Sequence, residues 1–238
     1  MTSNRPWISG PEELLQHGLI LLDDDSDLNR RLALIAIDNA VELTIRTFLS
    51  LPRRVTDIGL SRKSFEEIAD SFPKLLDALE IHAGNRIDGI DLGDIEWYHR
   101  LRNQLYHQGS GLTVEKRMVE VYSSVATLLF ERLFGVPLQA SRNADTNNIG
   151  RFLGAWVEIE RALQEAIPLE PRRGRLVVFP LSISQELPPV LANPAAVSQL
   201  NELRELRNRV VHEGVVPGQD EIAAVENWAT HLRRGKTG

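Results

Sequence analysis

One six-residue phrase occurs twice in this chain, as Arg102-Asn103-Gln104-Leu105-Tyr106-His107 and as Arg207-Asn208-Arg209-Val210-Val211-His212. Both read Arg-Asn, three residues, then His. Each closes an amphipathic stretch, and each is followed two residues later by glycine, Gly109 and Gly214. With 23 Arg, 12 Asn and 6 His in 238 residues, a shuffled chain would hold roughly 0.03 such phrases. A glycine just past a helical run is a common helix stop. The pair therefore marks a helical unit present in two copies, and most of the chain fits that frame.

Apolar residues recur at three- and four-residue spacing through most of the sequence, the period of a helix with one buried face. Pro11, Glu12 and Glu13 open a predicted helix reaching about Leu22, since proline and acidic residues favour a first turn. Between 32 and 49 the positions Leu34, Ile37, Val41, Thr44, Ile45 and Phe48 share a face. Further helices are predicted over 71–79, with Pro73 in the first turn, over 93–107, and from an N-cap at Thr113 to Phe134, where Gly135 and Pro137 stop it. In the second half, helices are predicted over 149–167, from Asn193-Pro194 through the second phrase, and after Pro217-Gly218 to about Arg233.

The small, polar stretch 138–148 reads as a linker. Residues 170–190 are rich in Pro and Arg, and 176–183 is the one extended candidate, read as an irregular loop. The expected fold class is thus all-α, with one helical bundle over 1–137 and a shorter one over 149–238. Val41-Glu42-Leu43 and Val157-Glu158-Ile159 extend the internal likeness to the first long helix of each half.

Composition narrows the chemistry. There is no cysteine, hence no disulfide, thiolate nucleophile or cysteine-based zinc site. The start of the chain lacks a signal-peptide pattern, and the apolar run 14–22 is too short to span a bilayer. A cytoplasmic protein without a membrane partner is expected. Net charge is −6, against a broad basic surface for nucleic acid, so any such contact must be a local cleft. The acidic run Asp23-Asp24-Asp25-Ser26-Asp27 reads as a solvated loop or helix start.

Arg, a polar residue directly after it, and His, near the end of a helix in a small all-α unit, resemble the signature of the HEPN superfamily. Arg102/Asn103/His107 and Arg207/Asn208/His212 both fit it, and the resemblance covers most of the chain as two tandem copies. It implies up-and-down helical bundles that pair as an intramolecular pseudo-dimer or a homodimer, with the two motifs meeting in one composite site. Many such proteins are metal-independent endoribonucleases of toxin–antitoxin, phage-defence or RNA-processing systems, some with an antitoxin or regulatory protein as partner. Others only bind RNA, nucleotides or protein. One toxin subgroup has a modified Tyr two residues after the motif His. Gly109 and Gly214 stand there instead, so that regulation is not expected.

Metal-free RNA cleavage needs a base for the 2′-hydroxyl, an acid for the leaving 5′-oxygen and positive charge on the phosphate. Histidine exchanges protons near neutral pH, and arginine offers a permanent bidentate charge. The catalytic candidates are accordingly Arg102, Asn103, His107, Arg207, Asn208 and His212, with Asn orienting either the His or the phosphate. No metal or other cofactor is expected. Glu42 and Glu158, at matched positions, are candidates to orient the motif arginines. Tyr106 is a candidate base-stacking residue, as are Trp97 and Tyr98, although Trp97 also fits a core position. Arg172, Arg173 and Arg175 are candidate RNA-phosphate contacts. A purely structural role, with Arg and His capping helix carbonyls, is the competing reading.

Overall fold

The computed structural model describes residues 5–24, 26–107, 113–138, 144–166 and 193–234, and within its helices leaves out the side chains of residues 106, 107, 144–146, 164, 166 and 234. Among the described residues there are ten helices and no strand. They are α1 Pro6–Asp23, α2 Asp27–Ser50, α3 Arg53–Thr56, α4 Arg62–Ile68, α5 Phe72–Ile87, α6 Leu92–His107, α7 Lys116–Phe134, α8 Ala144–Ala166, α9 Pro194–Glu213 and α10 Gln219–Arg234. The all-α class follows directly from the periodicity. None of these helices is long and apolar enough to cross a membrane.

Local chemistry explains many boundaries. Ser26 accepts from the Asn29 amide at 3.1 Å and starts α2, and Asn193 accepts from Ala195 at 3.0 Å and starts α9. Such caps satisfy amides that have no partner inside the helix. The acidic run is thus a helix end followed by a helix start. Other boundaries move. α1 begins at Pro6, five residues before Pro11, because Ile8 is buried and extends the helix backwards. Thr113 is not the cap of α7, which starts at Lys116 after Glu115 with no side-chain cap bond. α5 runs past Leu79 to Ile87, with non-helical backbone at Ala83. α3 and α4 were not expected. α8 starts at Ala144, inside the predicted linker, and Leu138 is buried. Residues 139–143 of that linker, and the loop 170–190 with its extended candidate, lie outside the described residues.

α7 is the central helix. Thirteen of its 19 residues are buried, and it packs against α1, α2, α5, α6, α8 and α9. Its serine and threonine hydroxyls are satisfied locally: Ser123 and Ser124 donate to the Glu120 carbonyl and Thr127 to that of Ser123. Around it, α1 and α2 form one pair and α8 and α10 another. Buried side chains from Ile8 to Leu232 make one hydrophobic cluster through both halves.

Two glycines record close approaches between the halves. Gly89, in the α5–α6 turn, has φ +82, and a Cβ there would lie 2.5 Å from the Val157 carbonyl oxygen of α8. Gly214 ends α9 with φ +66, and a Cβ would come 2.9 Å from Arg117 Cβ on α7. Only glycine adopts such backbone at little cost and leaves that space. The glycine after the second phrase therefore stops a helix and also seats its end on the central one.

Candidate functional site

The first phrase closes α6, and its arginine is held by α2. Arg102 Nε donates to Asp38 Oδ2 at 2.7 Å, one terminal nitrogen donates to Asn103 at 2.8 Å, and the other to Asn39 at 3.0 Å. Glu42 stands 3.6 Å from that last nitrogen. Asp38 is fully buried, yet its charge is well compensated. Its Oδ2 also contacts His99 Nδ1 at 3.0 Å, and its Oδ1 accepts from the Tyr122 hydroxyl at 2.8 Å. The His99 ring lies flat on Phe72, with centroids 3.9 Å apart. Arg102 keeps 16% of its side-chain surface exposed, and Asn39 beside it is exposed.

The second phrase closes α9, and its arginine is held by α6. Arg207 donates to Asp94, and both side chains are only 4% exposed. Asp94 Oδ1 also lies 3.3 Å from His212 Nε2, whose side chain is 44% exposed. The Trp97 and His212 rings stand nearly perpendicular, with centroids 5.7 Å apart. Burial pushes the Asp94 carboxyl up from its ordinary value, opposed by the charge of Arg207 beside it. Glu160 of α8 faces the same guanidinium. Burial raises it to about 7 against the pull of Arg207 and a hydrogen bond from the Trp156 indole. A cavity of about 20 Å³ adjoins this group, lined by Gly89, Asp94, Trp156 and Arg207 among others.

Both clusters therefore have the same chemistry: an arginine, a buried aspartate from another helix that binds it, and a histidine on the same carboxylate. α6 connects them. Asp94, Tyr98 and Arg102 follow at four-residue spacing, so Asp94 and Arg102 are about 12 Å apart along the axis. Between them the Tyr98 hydroxyl donates to the Val211 carbonyl at 2.7 Å, and its ring stacks on Tyr122 with centroids 4.3 Å apart. Tyr122 bonds Asp38. A buried path thus runs from Arg102 through Asp38, Tyr122 and Tyr98 to the residue next to His212. Burial holds both phenols well above the usual range, with Asp94 adding to the rise at Tyr98 and Asp38 at Tyr122.

Several expected roles change. Asn103 and Asn208 accept from their own neighbouring arginines, at 2.8 and 3.4 Å. Glu42 lies at the edge of the Arg102 cluster, but the direct partner is Asp38. Glu158 does not meet Arg207; it pairs with Arg132 of α7. The duplicated Val-Glu phrase therefore has no duplicated contact, because Arg207 takes its carboxylate from α6 and not from α8. Tyr98 is fully buried and in the core, so it cannot stack a base, and Trp97 is half-buried against the core. The side chains of Tyr106 and His107, and Gly109, Arg172, Arg173 and Arg175, lie outside the described residues. No group of metal-ligating side chains occurs among the described residues.

Asp94 and His99 escape a reading of the sequence alone. Asp38 does not: it shares a helix face with Glu42, which reads as solvated or motif-orienting, and it lies among Leu34, Ile37, Val41 and Ile45, an apolar face where a carboxylate needs a partner. Comparison with family models, with curated proteins and with solved structures finds no match to this chain.

Proposed function

We propose that the protein cleaves RNA without a metal ion, by attack of the RNA's own 2′-hydroxyl, with the two halves acting as paired HEPN-type units. The observation that carries this reading is His212. Its imidazole is exposed, its Nε2 is held by a buried carboxylate, and that carboxylate is fixed by a buried arginine. A carboxylate that orients an imidazole and stabilises its protonated form is a general acid–base arrangement. Nδ1 is the nitrogen left for proton exchange. Arg102 is the better phosphate ligand of the two arginines, because its side chain is 16% exposed against 4% for Arg207. Arg207 is buried and serves as a positioning residue for Asp94 and, through it, His212.

The test is incubation of pure protein with single-stranded RNA in EDTA. Cleavage is expected to persist and to leave 2′,3′-cyclic phosphate ends, and His212→Ala should slow it by about 10²–10⁴-fold while the melting temperature stays within a few degrees. Activity abolished by EDTA and restored by Mg²⁺ would reject the mechanism, as would equal cleavage of DNA. One observation favours a second reading, a module that binds RNA, nucleotide or protein without cutting. Both guanidinium groups already engage carboxylates, which a phosphate would have to displace or share. RNA retained but uncut by the wild-type protein would select it.

A further inference from the structure

In the second cluster, the histidine on the buried carboxylate belongs to the repeated phrase. In the first cluster the equivalent contact is made by a histidine outside it. We infer that His99 is a proton-transfer group of the first cluster, a further acid–base residue resting on the proposal that these clusters cut RNA.

The local geometry is specific. A carboxylate only accepts hydrogen bonds, so Asp38 Oδ2 at 3.0 Å sets the hydrogen of His99 on Nδ1. This leaves Nε2 with its lone pair in the neutral ring. The ring cannot rotate freely, because it is stacked on Phe72 at 3.9 Å. It keeps 14% of its side-chain surface exposed. It also shares Asp38 with Arg102, whose other partners, Asn39 and Asn103, stand toward the surface. Among the described residues, three of the five N–H donors of Arg102 are used in hydrogen bonds. One of the two that remain is on the nitrogen 3.6 Å from Glu42, so a phosphate drawn to this arginine would share it with Glu42 and with Asp38, the carboxylate that also holds His99.

The charged and titratable groups around His99 are Asp38 and, farther off, Glu42 from α2, Arg102 from its own helix, and Tyr122 from α7, which shares Asp38. α5 supplies the Phe72 ring. In the step assigned to it, Nε2 takes the 2′-hydroxyl proton as that oxygen bonds to phosphorus, or returns a proton to the departing 5′-oxygen. Either way the proton moves between the RNA and the ring, and no external reagent is consumed.

The experiment compares wild type, His99→Gln and His99→Ala on one defined single-stranded RNA in EDTA, from pH 5 to 9. The expected result is a fall in kcat of about 10²-fold with KM changed less than about threefold. One limb of the pH–rate profile should disappear. Free imidazole should restore part of the rate to His99→Ala, since it can occupy the slot on Phe72. A purely structural histidine would give neither the lost limb nor the rescue. Variants with the wild-type rate and profile would overturn the inference and leave the function of His212 intact. A wild-type protein that cuts no RNA would remove both together. If both variants unfold, nitrogen-15 NMR of the wild-type histidines decides. A ring held with hydrogen on Nδ1 that takes up a second proton between pH 5 and 9 supports the role, and one that stays neutral or carries hydrogen on Nε2 overturns it.

Discussion

The two arginine clusters use the same residue types for unequal work. Around Arg102 the aspartate is completely buried while the arginine reaches the surface, in company with Asn39 and Asn103. Around Arg207 both partners are buried and only the histidine emerges. The first cluster presents a cation to solvent, and the second presents an imidazole beside a buried carboxylate. Taking two charges out of water costs several kcal/mol each, returned only by close pairing and further hydrogen bonds. Arg207 is thus committed to the fold, whereas Arg102 stays partly exposed. Two copies of one motif need not be buried or paired alike.

The largest expected effect separates the clusters by stability. Arg207→Ala leaves Asp94 buried without its cation and should cost about 3–5 kcal/mol. Arg102→Ala leaves Asp38 with Tyr122 and His99 and should cost less than about 3 kcal/mol. Urea unfolding of both variants measures the difference, and equal losses would break the comparison.

A smaller effect concerns pH. Glu160 is raised from 4.5 to about 7 in the folded protein, so the native state binds more protons than the unfolded chain between those values. Its contribution to stability is complete below about 4.5, falls as pH rises toward 7, and is gone above it. Asp94, also raised, adds a slope of the same sign. Glu160→Gln should flatten the decline between pH 5 and 7.5 in thermal melts. An unchanged slope would show that the carboxylate beside Arg207 is not the group responsible.

The smallest expected effect probes the link between the clusters. Tyr98→Phe removes the hydroxyl that binds the Val211 carbonyl but keeps the ring on Tyr122. It should cost about 0.5–1.5 kcal/mol, and it should alter RNA cleavage if the position of His212 depends on that anchor. A stability loss with cleavage kinetics unchanged would mean that the clusters share a core but not a mechanism.

Much of the scaffold is legible in the sequence. Ser26, Asn193 and Gly214 act within a few residues of themselves, so their roles as caps or stops survive any tertiary arrangement. The helix pattern of 32–49 and 113–134 is likewise set by which side must leave water. The start of α1 and the extension of α8 are not legible, because burial of Ile8 and of α8 against its neighbours carries helix beyond the local signal. Thr113 is a reasonable cap locally, but the chain reaches α7 in another conformation.

The site divides along the same line. The sequence by itself determined that two Arg-Asn-His phrases would close two helices, because a helix and its stop are short-range matters of periodicity and backbone geometry. Which carboxylate meets which arginine was decided only by the tertiary structure. Asp38 lies 64 residues before Arg102, and Asp94 lies 113 residues before Arg207. No pattern along the chain encodes contacts across such distances. Packing of α2, α6, α7 and α9 brought them together, and burial then required each aspartate to take the nearest cation and every donor within reach. Glu42 and Glu158, the carboxylates that the repeat pointed to, were displaced to the edge of one cluster and to Arg132 by that same packing.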